Sequence, residues 1–114
     1  MTAAEFRRIA LSFPEAIEAS HMGHADFRVG GKIFATLGYP NDRFGVVMVT
    51  PQDQDLLVRD QPETFAPVKG SWGASGSTTV ALRTASKRAV TIALEAAWRK
   101  RAPKRLLRSS PDSD

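Results

Sequence analysis

Phe27-Arg28-Val29-Gly30-Gly31-Lys32-Ile33-Phe34-Ala35 decides the fold class of this chain. Two glycines in succession can both take positive φ, and a two-residue turn of that kind matches the twist of the strands it joins. Apolar and polar residues alternate on either side of the pair, which predicts a β-hairpin over residues 25–29 and 32–37 with Phe27, Val29, Ile33, Ala35 and Leu37 on its core face. Arg28 and Lys32 then flank the tip and project away from that core.

Working outward, residues 17–22 form a weaker strand candidate that places Ile17, Ala19 and His21 on one face. Tyr39-Pro40-Asn41-Asp42 has the residue chemistry of a turn, and residues 43–49, dense in β-branched and aromatic side chains, follow as a strand. A meander is therefore expected at the centre. Further along, residues 65–69 supply a short strand, and Thr78, Val80 and Leu82 mark another over residues 77–83. Gly70, Gly73 and Gly76 read as a small-residue turn between them.

Helices are expected at both ends of this strand-rich middle. Thr2-Ala3-Ala4-Glu5 is a capping box, in which a hydroxyl and a carboxylate each accept a free N–H of the first turn. Phe6, Ile9, Ala10 and Phe13 recur at helical spacing, and Pro14 stops the run. Thr50-Pro51-Gln52-Asp53 starts a second helix, which ends near Asp60. After Thr84 or Ser86 as cap, residues 87–101 carry a buried stripe of Val90, Ala93, Leu94, Ala97 and Trp98, with Arg99, Lys100 and Arg101 in the last turn, where cations suit the helix dipole. Residues 1–103 are read as one domain and residues 104–114 as a flexible tail.

Composition narrows the function classes. The chain has 114 residues, 42% of them apolar and 25% charged, which is ordinary for a globular domain. It contains no cysteine, so disulfides, thiol nucleophiles and thiolate metal sites are excluded. No apolar run is long enough for a signal sequence or a membrane span, and a cytoplasmic protein with no membrane partner is expected. The net charge of +4 is unevenly spread. Residues 1–60 hold six Lys/Arg against eight Asp/Glu, whereas residues 61–114 hold ten against four. A basic second half of this kind can steer an anionic partner.

His21, His24 and Asp26 are the side chains with ligating capacity, but structural zinc wants four ligands and neither Cys nor a further His is available. No metal or cofactor is expected. Ser, His and Asp occur in no activating context such as a G-x-S-x-G elbow, and the glycines at 70–76 do not spell a phosphate-cradling loop. No catalytic residues are assigned, and a non-enzymatic protein is expected. Trp98 falls on the helical stripe, which leaves Trp72 as the tryptophan able to stack on a partner.

These segments together resemble the MmcQ/YjbR family of small bacterial proteins. The residues carrying the resemblance are Leu11-Ser12-Phe13-Pro14-Glu15-Ala16, His21 ahead of Phe27-Arg28-Val29, Lys32-Ile33-Phe34-Ala35, Trp72-Gly73, Thr78-Thr79-Val80-Ala81-Leu82 and Ala96-Ala97-Trp98. The resemblance implies an α+β fold of the frataxin (CyaY-like) kind. This is a two-layer α/β sandwich with a mainly antiparallel sheet and with the N- and C-terminal helices packed on one face. It further implies DNA binding through paired hairpins. Ser77 departs from the pattern, because many relatives carry Trp there, and Arg7 and Arg8 stand where an iron-binding frataxin presents acidic residues.

The function expected from residues and resemblance together is weak, phosphate-dominated DNA binding. Its contacts would come from Arg28 and Lys32 on the hairpin, Lys69 and Arg83 near the glycine turn, and Lys87, Arg88, Arg99, Lys100 and Arg101 on the last helix. The alternative is a protein-interaction or small-ligand module with a pocket lined by His21, His24, Phe27 and Trp72. Exposed edge strands allow a monomer or a weak dimer.

Overall fold

The computed structural model describes residues 1–108. The chain runs α1 (Ala3–Leu11), β1 (Ile17–His21), β2 (His24–Val29), β3 (Lys32–Leu37), β4 (Phe44–Met48), α2 (Pro51–Asp60), β5 (Phe65–Pro67), α3 (Ser71–Ala74), β6 (Ser77–Ala81), α4 (Lys87–Arg101) and α5 (Lys104–Arg108). The strands form one six-stranded sheet in the order β1-β2-β3-β4-β6-β5, with every neighbouring pair antiparallel. β2, β3 and β4 are the expected three-stranded meander, and β1, the weaker candidate, adds a strand at its edge. α2 then carries the chain to the far edge, and β6 returns between β4 and β5. Among the described residues no helix is long and apolar enough to cross a membrane.

Local chemistry explains most boundaries. At the start of α1 the Glu5 N–H donates to Thr2 Oγ1 at 3.1 Å and the Thr2 N–H donates to Glu5 Oε1 at 3.0 Å, closing the capping box. The Asp53 N–H donates to Thr50 Oγ1 with Pro51 in the first turn of α2, and the Ala89 N–H donates to Ser86 Oγ at the start of α4. Gly30 and Gly31 have φ of 59° and 80°, so both central residues of the β2–β3 turn occupy the left-handed region. Met22 and Gly23, at 50° and 82°, make a similar turn between β1 and β2, which the chain achieves without a glycine pair.

α1 and α4 lie on one face of the sheet and close the core over β2, β3 and β4. Phe6 approaches Phe27 with ring centroids 6.2 Å apart and rests on Gly45, where a Cβ would stand 2.9 Å from the Phe6 ring. The helical stripe Val90, Ala93, Leu94, Ala97 and Trp98 is buried as expected. Trp98 donates its Nε1–H to the Pro14 carbonyl at 3.0 Å and stacks on Phe13 at 6.0 Å.

The glycine-rich segment expected as a turn contains the short helix α3. Alternation alone predicts Ile33 in the core, but the β2–β3 register shifts beside Phe27 and Arg28: Phe27 opposes Ala35, and Arg28 opposes Ile33. One extra residue, Phe34, is thereby inserted into β3. Phe34 is buried, while Ile33 shares the other face of the sheet with Arg28. The tail expected from residue 104 instead begins as α5, where Leu106 is buried against the core and Arg105 forms a two-pronged pair with Glu15 at 2.7 Å. Residues 109–114 of that expected tail lie outside the described residues.

Candidate functional site

The face of the sheet turned away from α1 and α4 carries the chemistry. Asp26, Thr36, Val46 and Thr79 are successive cross-strand partners along one row of it. Asp26 is fully buried there and is held by its neighbours. Arg28, two residues on and therefore on the same face, donates from Nε to Asp26 Oδ1 at 2.7 Å and from Nη2 to Oδ2 at 3.1 Å. His21 Nδ1 lies 2.7 Å from Oδ2 on the other side. The hydrogen bonds from Arg28 hold the Asp26 carboxyl below the usual aspartate range against the opposing effect of burial, and His21 adds to the depression. Reciprocally, Asp26 raises the Arg28 guanidinium.

Beyond Arg28 the face opens into a groove of about 630 Å³ at the hairpin-tip end of the sheet. Arg28, Lys32 and Arg101 supply its charge, Ile33 and Met48 its apolar floor, and Trp72 with Ser71, Ser75 and Ser77 its far side. No carboxylate lines it. Among the described residues Lys32 and Arg101 enter no ion pair, and the Arg101 Nε–H is shut off from solvent with no acceptor.

Trp72 owes its position to its neighbour. Gly73 is buried so tightly that a Cβ there would come within 1.7 Å of the Val68 carbonyl oxygen. Gln54 of α2 clamps the same short helix, donating from Nε2 to the carbonyls of Gly73 at 2.9 Å and Ser77 at 3.0 Å. With Gly73 pinned inward, the adjacent Trp72 is turned outward and left 66% exposed, in contrast to Trp98 at 5%.

Of the nine cations expected to meet phosphate, the groove gathers Arg28, Lys32 and Arg101. Lys69 is exposed two residues before α3. Lys87 and Arg88 stand in the first turn of α4, about 20 Å along the helix from Arg101, and Arg83 lies in the loop leading to that end. Arg99 and Lys100 line a separate hollow against α2 that also contains Asp53 and Glu95. There Arg99 Nε faces Glu95 at 3.5 Å, and Lys100 Nζ donates to the Val49 carbonyl at 3.1 Å. Burial, and then the charge of Arg101, lowers the Lys100 ammonium.

The expected pocket of His21, His24, Phe27 and Trp72 does not assemble. Phe27 is fully buried beneath α1, and the two histidines face each other at the opposite end of β2 from Trp72, where His21 connects to the groove only through Asp26 and Arg28. Among the described residues no three His, Asp or Glu side chains converge as a metal-ligand set. Sequence reading missed Met48 and the serines of the groove. Alternation along β4 from Val46 would have pointed to Met48, and Ser77 was marked out by its departure from the family pattern.

A family model described as YjbR matches residues 11–100. The fold is similar to the crystal structure of Deinococcus radiodurans protein DR2400, which carries a DUF419 domain, with a TM-score of 0.69 and 19% identity over 85% of this chain and 75% of that one. No curated protein matches the chain.

Proposed function

The chain belongs to the YjbR family, and we propose that it is a non-enzymatic DNA-binding protein whose contacts are mainly to phosphate. The observation that carries this reading is the gathering of Arg28, Lys32 and Arg101 in one groove without a carboxylate. Lys32 and Arg101, which enter no ion pair among the described residues, attract a polyanion at this concave surface, while Arg28 is already paired with Asp26, and releasing counterions from that polyanion drives the association. Lys69 extends the charge beside α3. Lys87 and Arg88 in the first turn of α4, with Arg83 in the loop before it, stand outside the groove, about 20 Å along the helix from Arg101.

The reading fixes a salt dependence. Phosphate contacts from Lys32, Arg101 and the exposed Lys69 on duplex DNA give a slope of log affinity against log salt of about −2.7. A titration of labelled duplex at several salt concentrations measures it, and Arg101→Gln should flatten the slope by about 0.9. Absence of binding at low salt, or affinity that does not change with salt, would refute the proposal.

A further inference from the structure

Resting on the DNA-binding reading above, we infer that the groove receives an unpaired nucleotide of a single strand, its base stacked on Trp72 and its phosphate between Lys32 and Arg101. An indole 66% exposed on a pinned helix is a fixed aromatic platform rather than a piece of core. In a duplex, base faces are covered by their neighbours in the stack, so a ring that binds through its face selects bases freed from pairing. The groove volume of about 630 Å³ falls within the range of small-molecule sites, about 300–1,000 Å³.

The surrounding groups suit the parts of a nucleotide. Ile33 and Met48 offer apolar surface against which a base or sugar can rest. Arg101 lines the groove, where its guanidinium can donate to a phosphate oxygen of opposite charge. Arg28 is fixed by its two bonds to Asp26, so it presents a preset charge to the groove. Ser71 and Ser77 add hydroxyls able to meet base edges. Ser75 already donates to the Ser71 carbonyl at 3.0 Å.

Intrinsic fluorescence tests the assignment, because Trp98 is buried and Trp72 is exposed. A thymidine octanucleotide should quench the emission saturably and bind at least about tenfold tighter than a blunt duplex of the same length. Trp72→Phe should abolish the quench, and Trp72→Ala should weaken binding of labelled strand about tenfold or more. Far-UV circular dichroism confirms that both variants are folded. Unchanged affinity in Trp72→Ala overturns the inference, as does duplex binding equal to that of the strand. Thymidine monophosphate binding as tightly as the octanucleotide would overturn the single-strand assignment in favour of a free nucleotide. Salt-dependent duplex binding with no quench by the strand refutes the groove assignment alone. Loss of all binding refutes the DNA reading beneath it.

Discussion

Replacing Asp26 by Asn removes one charge from the face of the sheet while keeping the size of the side chain. The carboxylate is fully buried and accepts two hydrogen bonds from Arg28, at 2.7 and 3.1 Å, with His21 Nδ1 2.7 Å away. Hydrogen bonds to charged groups contribute about 1.5–3 kcal/mol each. Two effects reduce the sum for Asp26. Burying the carboxylate has its own desolvation cost, and Arg28 and His21 are 32% and 42% exposed, so water replaces part of what they lose. The net loss expected for Asp26→Asn at pH 7 is about 2 kcal/mol, or a fall in Tm of about 10 °C for a domain of this size.

The pH dependence distinguishes this origin from simple misfit. The Asp26 pKa is lowered in the folded state, so on acidification the unfolded chain binds the proton first. The carboxylate's contribution is therefore complete above the ordinary aspartate value of about 3.9 and is lost as pH falls through the folded value. Asn cannot titrate and resembles the protonated acid. Urea denaturation of both proteins between pH 7 and pH 3 should show a stability gap that is constant down to about pH 4 and narrows below it. A gap under about 0.5 kcal/mol at pH 7, or one that stays constant to the acid end, would refute the reasoning.

Two further substitutions probe the parts that hold the groove and the C-terminal end. Gly73→Ala places a Cβ 1.7 Å from the Val68 carbonyl oxygen, so α3 must shift. The expected destabilisation is about 1–3 kcal/mol by chemical denaturation, and acrylamide quenching should report a changed Trp72 environment. An unaltered protein would show that Gly73 does not set the tryptophan. Leu106→Ala removes a side chain 8% exposed at the rim of the core and should lower stability by about 2 kcal/mol, the lower end for such truncations. A loss under about 0.5 kcal/mol would mean that α5 adds nothing to the fold.

What was legible in the sequence is chemistry that acts over a few residues. The Gly30-Gly31 turn, the Thr2–Glu5 capping box, the Thr50-Pro51 helix start and the stripe on α4 each depend on neighbours within one turn or one hairpin, and each stands in the structure as read. The short helix at Ser71–Ala74 was not legible. Its two flanking glycines carry no helical signal, and what holds it in place is Gln54, in a different helix. The helix at residues 104–108 is not legible for the same reason: the Leu106 side chain is held by the core, and Arg105 pairs with Glu15, far away in the chain.

By itself the sequence determined the α+β class, the meander and the amphipathic helices, because hydrophobic period and turn chemistry are properties of contiguous residues. The tertiary structure decided which charges act together. Arg28 and Arg101 share a groove although four strands and two helices separate them in sequence from β2 to the end of α4, whereas Lys100, next to Arg101, opens on a different hollow against α2. The extra residue in β3 likewise moved Ile33 from the core to the groove floor. Successive side chains on a helix diverge by about 100°, and an inserted residue reverses the facing of a strand, so neighbourhood in the chain does not fix neighbourhood on the surface.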